Sequence, residues 1–145
     1  MGREAIILVA GMGTRLRPLT DTNHKCLTEV NGVPILLNAL KVLNNNKFSR
    51  VILVVGYLRE QIKEVIGDAY QNMKIEYAVN SIYSKTNTSY SLELGLEKIT
   101  GENEVYIFEG DVMFEEKLLE DLIQFPEENV TVLEKYSNML DGTFV

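Results

Sequence analysis

The chain has one cysteine and one histidine among its 145 residues, and only 14 cationic side chains against 21 acidic ones. A lone Cys26 forms no internal disulfide, which favours a reducing compartment and makes a cytoplasmic location the expectation. His24 and Cys26, two positions apart, supply no plausible nucleophile–base triad, so covalent catalysis of that kind is not expected. No apolar run approaches the roughly 18 residues that a membrane span requires. The first apolar stretch, Ala5 to Val9, is too short for a signal-peptide core, and Ile6 stands where a myristoylation signal needs Ser or Thr. A membrane partner is therefore not expected. The acidic balance, a net charge of −7, argues against a nucleic-acid partner as well.

What is present suits one globular domain over residues 1–145, since 46% apolar and 24% charged residues are ordinary proportions for one. Charge is unevenly spread. Residues 1–25 carry a net +2 and residues 101–145 a net −10. An anionic ligand would find the N-terminal region the most hospitable part of the molecule.

Short β-branched and aromatic runs alternate with segments of helical period. Ala5–Val9, Val51–Val55, Ile75–Val79, Val105–Phe108 and Val130–Leu133 read as strands. Pro34–Leu43, Arg59–Ile66, Ser89–Ile99 and Glu115–Phe125 read as helices, and Asn44-Asn45-Asn46 as a helix exit. The alternation predicts a three-layer α/β fold, a mainly parallel sheet with helices on both faces. Ligands of such sheets bind beyond the carboxyl ends of the strands. Those positions hold a glycine loop after the first strand, Gly56-Tyr57 after the second, Asn80 after the third and Glu109-Gly110-Asp111 after the fourth.

The glycine loop carries the densest information. Leu8-Val9-Ala10-Gly11-Met12-Gly13-Thr14-Arg15-Leu16-Arg17-Pro18-Leu19-Thr20 follows an apolar strand, and Lys25 comes shortly after. Glycines let backbone N–H groups approach a phosphate, while arginine and lysine add charge to the same anion. Two common phosphate motifs fail. Gly13 is followed by Thr14-Arg15, not the Gly-Lys-Ser/Thr of a P-loop. Leu16 stands where a dinucleotide fingerprint needs its third glycine, and Pro18 would interrupt the helix that must follow.

The remaining pattern resembles the signature of the sugar-phosphate nucleotidyltransferases and related cytidylyltransferases. Their usual form is Leu-Ala-Ala-Gly-x-Gly-x-Arg-Leu-x-Pro-Leu-Thr, then Pro-Lys-x-Leu, then a Gly-x-Pro segment, here Gly32-Val33-Pro34. Val9 replaces one family alanine, and His24 stands where proline precedes the lysine. The resemblance implies a Rossmann-like fold of the nucleotide-diphospho-sugar transferase kind, of which this chain corresponds to the N-terminal, nucleotide-binding part. It places nucleotide contacts at Leu8, Ala10, Gly11, Gly13 and Thr14, with Arg15 and Lys25 as the catalytic cations. Asn80, Thr88 and Ser89 are further candidate nucleotide contacts, since their amide and hydroxyl groups can read a base edge. The segment around them, with Thr86-Asn87-Thr88-Ser89, looks more like the phosphocholine cytidylyltransferase branch than the hexose-1-phosphate branch. From the residues alone, Thr88 or Ser89 serves equally as a helix N-cap.

Asp111 admits two readings from spacing alone: a cap for the following helix, or a ligand for magnesium, which takes few carboxylates and keeps its waters. Similarity to the family's Asn/Glu-Gly-Asp-x-x-Phe segment implies the second, with Mg²⁺ as cofactor. Glu109 reads as a salt-bridge residue. The resemblance then implies nucleotidyl transfer from an NTP, CTP favoured, to a phosphorylated small molecule such as phosphocholine or a sugar 1-phosphate, with release of pyrophosphate. Two further readings stay open: hexose-1-phosphate uridylyl- or thymidylyl transfer, and a non-catalytic nucleotide-binding module or inactive fragment. A glycosyltransferase would normally show Asp-x-Asp, to which Glu109-Gly110-Asp111 is a distant approximation. The sequence leaves an oligomer open.

Overall fold

A computed structural model describes residues 2–133, which fall into two compact units, the first ending at Phe114 and the second beginning at Glu115. The first unit is built on a five-stranded sheet. Its strands are β1 (Arg3–Val9), β4 (Arg50–Val55), β5 (Ala69–Tyr70), β6 (Met73–Val79) and β7 (Glu104–Glu109), in the order β5-β6-β4-β1-β7. The β1–β4, β1–β7 and β4–β6 pairs are parallel, and only the short β5 runs antiparallel. A two-stranded hairpin, β2 (Glu29–Val30) with β3 (Val33–Pro34), precedes the first helix.

Each long strand forms for the same reason. A β-branched run is flanked by parallel neighbours, so both its faces are covered and an unbroken apolar sequence is favoured over alternation. β4 is the extreme case: Val51 through Val55 are all fully buried. Its two faces bury against different helices. Ile6, Ile52, Val54 and Ala78 make one cluster, on which α3 (Thr88–Leu96) packs through Leu92 and Gly95. A side chain at Gly95 would lie 2.7 Å from Ile6 Cγ2, so only glycine lets the helix sit this close. The opposite face carries Ala5, Ile7, Val51, Leu53 and Val55, and the apolar faces of α1 (Ile35–Asn45) and α2 (Arg59–Ile66) are buried with it.

Chain order decides where the site must be. β1, β4 and β6 proceed in one direction across the sheet, and the chain then returns past both to lay β7 on the other side of β1. The direction of winding reverses between β1 and β7. At such a reversal the connections leave on opposite faces and open a crevice beyond the strand ends.

Four expected strands and four expected helices form, with boundaries shifted by a few residues; Arg59–Ile66 matches at both ends. The strand expected at Val130–Leu133 does not form. Those residues are exposed and pair with no described strand, and a β-branched run without a ladder partner gains nothing from extension. The β2–β3 hairpin and β5 are two-residue strands, too short to leave a periodic signal. In the second unit the described helix is α4 (Glu116–Gln124). Among the described residues no helix is long and apolar enough to cross a membrane.

Candidate active site

Register alone carries the two motifs to one place. β7 pairs with β1 so that Glu109 lies beside Leu8, and the Gly110 N–H donates to the Leu8 carbonyl at 3.0 Å. Gly110 is required by contact, not by a turn. A Cβ there would press into Val9 Cγ1 and lie 2.7 Å from the Leu8 carbonyl oxygen. The next residue, Asp111, therefore emerges at the mouth of the glycine loop. Behind it, Phe114 stacks on Phe108 at 5.2 Å, and its carbonyl accepts a hydrogen bond from Asn38 Nδ2 on α1 at 3.2 Å.

The loop after β1 has two kinds of glycine. Gly13 has a left-handed backbone (φ 59°) and begins a single 3₁₀ turn, Thr14–Leu16. The buried Thr20 hydroxyl donates to its carbonyl at 2.8 Å, which accounts for the threonine at the end of the motif. Gly11 has neither a positive φ nor any neighbour within 4 Å of a would-be Cβ; it borders open space.

That space is a cleft of about 450 Å³. Of the residues expected from sequence, Leu8, Ala10, Gly11, Gly13, Thr14, Arg15, Lys25, Asn80, Thr88 and Asp111 all line it. Ser89 does not. The helix cap is neither Thr88 nor Ser89 but Asn87, whose side chain accepts from the Tyr90 N–H at 3.3 Å. Asp111 likewise caps nothing, because α4 is preceded by Glu115. Arg17, on the same loop as Arg15, is held by Asp21 at 3.1 Å and stays off the cleft wall. Arg15 has no ion pair among the described residues, so its charge is available to a ligand.

Lys25 and Asp111, 86 positions apart in the chain, form an ion pair across the cleft. Burial, and then the neighbouring Asp111 charge, push the Glu109 carboxyl above its usual range. Two carboxylates that repel one another at the edge of a phosphate-sized cleft suit a cation. Among the described residues, no three His, Cys, Asp or Glu side chains gather as a metal site. Asp111 and Glu109 are the carboxylates at this edge of the cleft that could hold a cation.

Asn80 lines the cleft but is fully engaged by the protein. Its Nδ2 donates to Thr86 Oγ1 at 2.9 Å and to Ser91 Oγ at 3.0 Å, while Oδ1 accepts from the Ile82 N–H at 3.1 Å. It shapes the loop from Ser81 to Asn87. Ser91, the other buried member, had no distinguishing mark in the sequence beyond its place on a helical face.

His24, the departure from the family pattern, turns out to be buried at 3% exposure. Its Nδ1 accepts from the Cys26 N–H at 3.2 Å and so caps the 3₁₀ turn Lys25–Leu27. Desolvation lowers its pKa, opposed by the Val9 and Gly11 backbone. Burial pushes the Cys26 thiol up to about 12, so it is no nucleophile at neutral pH.

The chain is similar to several enzymes. It is 40% identical to a CMP-5′-(3-aminopropyl)phosphonate synthase from Streptomyces rubellomurinus over 98% of its own length, which is 22% of that protein's. The solved structure of CTP:phosphocholine cytidylyltransferase from Streptococcus pneumoniae superposes with a TM-score of 0.62 at 35% identity, covering 77% of this chain and 46% of that one. The inositol-1-phosphate CTP transferase of T. maritima does so with a TM-score of 0.70 at 25% identity, over 83% and 48% respectively. The chain thus spans less than half the length of each. Residues 4–137 match the model of the nucleotidyl transferase family, and the chain belongs to that family.

Proposed function

We propose that residues 1–145 form the nucleotide-binding portion of a cytoplasmic, magnesium-dependent nucleotidyltransferase domain. Its donor is CTP, and its acceptor is a small molecule bearing a phosphate or phosphonate. The observation that carries this reading is the meeting of Lys25 and Asp111 at the mouth of the glycine loop. The choice of CTP is supported by the three relatives above, a CMP-phosphonate synthase and two CTP-dependent transferases.

In this reading the acceptor oxygen attacks the α-phosphorus of the NTP, a new P–O bond forms, and the bond to pyrophosphate breaks. No protein nucleophile is needed, and the buried, protonated Cys26 offers none. The task is to align two anions that repel and to neutralise charge as it builds. Backbone N–H groups at Gly11 and Gly13 hold the triphosphate. Arg15 takes the β- and γ-phosphates and the charge of the departing pyrophosphate. Lys25 neutralises the α-phosphate and the incoming acceptor. Asp111 would hold Mg²⁺, which would supply further neutralisation of charge on the phosphates.

The test is pyrophosphate release in Mg²⁺ by the full chain, with CTP, UTP, dTTP and GTP each paired with phosphocholine, an aminoalkylphosphonate and hexose 1-phosphates. Turnover with CTP and a phosphocholine- or phosphonate-type acceptor is expected. Turnover restricted to UTP or dTTP with a hexose 1-phosphate would instead assign that chemistry. Mg–NTP binding without turnover of any pair would assign a non-catalytic module or an inactive fragment.

A further inference from the structure

We propose that His24 is a positioning residue for Lys25, a role that rests on the reading of Lys25 as a catalytic cation. His24 stands directly before Lys25, and both its main chain and its ring are engaged by the protein. Its main-chain N–H donates to Gln61 Oε1 at 2.7 Å, and Gln61 Nε2 donates in turn to the Thr22 carbonyl at 3.0 Å. Gln61 belongs to α2, so this amide pins residues 22–24 to that helix, whose Ile62 and Ile66 are buried. Tyr57 adds a second clamp. Its N–H donates to the Ala10 carbonyl at 3.1 Å, its hydroxyl donates to the Thr20 carbonyl at 2.9 Å, and its ring lies 6.3 Å from that of His24.

The ring's own bonds set its tautomer. Nδ1 accepts the Cys26 N–H, so it carries no proton, and in the neutral ring the proton sits on Nε2. Nε2 is buried and has no hydrogen-bond partner among the described residues. Through Nδ1, His24 thus fixes the turn that carries Lys25. The bond from Cys26 to Nδ1 spans Lys25 itself. The turn's main-chain bonds, Leu27 N–H to the His24 carbonyl at 2.9 Å and Thr28 N–H to the Lys25 carbonyl at 3.0 Å, do not involve the ring, so removing the Nδ1 acceptor loosens the start of the turn at Lys25 without unfolding it.

This geometry predicts a split between binding and turnover, which a merely stabilising residue would not produce. Asparagine places an acceptor near the Nδ1 position, glutamine places a polar group near Nε2, and leucine fills the space with neither. His24→Leu should lose about ten- to a hundredfold in kcat while its Kd for Mg–CTP stays near that of wild type. His24→Asn should recover most of the loss, and His24→Gln little of it. Equal kcat in the Asn and Gln variants, or wild-type kcat in the Leu variant, overturns the proposal. Should the Leu variant fail to fold, the Asn–Gln comparison decides alone. Hydrogen exchange at the Cys26 amide separates this idea from the enzyme reading. If the wild type itself shows no turnover, the enzyme reading fails. Faster exchange at Cys26 in the Gln variant than in the Asn variant then still supports His24 as the anchor of this turn, and equal exchange refutes it.

Discussion

An alanine at Gly11 adds one methyl group where nothing lies within 4 Å, at a residue whose backbone is not left-handed. Folding should therefore tolerate it. Replacing glycine at a compatible position stabilises by about 0.4–1 kcal/mol, because the unfolded chain loses freedom. For a chain of this size that corresponds to a rise in Tm of about 2–4 °C. Binding should move the other way. The methyl would occupy the space through which phosphate oxygens reach the loop's N–H groups, and each hydrogen bond to a charged partner contributes about 1.5–3 kcal/mol. Losing one weakens Mg–CTP by about 10- to 150-fold. Thermal melts by circular dichroism and calorimetric titration with Mg–CTP, both on Gly11→Ala, read the two effects separately. Unchanged affinity in a variant that melts at or above wild type would refute the cradle. A Tm lowered by several degrees would refute the open geometry at Gly11.

Gly110→Ala should do the opposite, since its Cβ would press into Val9 and the Leu8 carbonyl. Overpacking of this kind costs about 1–3 kcal/mol, seen as a Tm lower by about 4–12 °C; an unchanged melt would show that the β1–β7 contact is looser than described. Lys25→Ala should lose about 10²–10³ in kcat, with NTP affinity largely kept, and near-normal turnover would remove Lys25 from the mechanism. At the far end of the sheet, a hydrogen bond from Arg50, with a second from Lys74, holds the Glu76 carboxyl down at about 2, below its usual 4.5. A carboxyl lowered on folding stabilises above its ordinary value and loses that effect as it is protonated. Glu76→Gln should therefore melt below wild type at pH 7, with the gap closing as pH falls from 4.5 towards 2. A gap independent of pH would refute the pairing.

Most of the elements are legible in the sequence, because β-branched runs and helical periods are local signals. The exceptions are those where length or pairing is decisive. Val130–Leu133 has the composition of a strand but no described neighbour to pair with, and β5 is two residues long. The site was legible to a similar depth. The glycine loop, Arg15 and Lys25 belong to one continuous motif, and the threonine that braces Gly13 ends it. Gln61 and Ser91 left no mark, since each acts through a partner far away in sequence. Asn80 was visible, but whether its amide faces a ligand or its own loop depends on where Thr86 and Ser91 lie.

The local pattern of the first loop is enough to single it out as the candidate phosphate site. Phosphate contact is made by residues within a few positions of one another, and the missing third glycine and Pro18 exclude the rival motifs locally. Tertiary structure decided everything that joins distant segments. The return of the chain past β4 lays β7 beside β1 and so brings Asp111 to Lys25. It also sorted the glycines, Gly11 bordering the cleft and Gly110 admitting a neighbouring strand, and it buried His24 beneath the loop. Strand order and close approach are long-range properties, set by which faces pack together, and no local pattern encodes them.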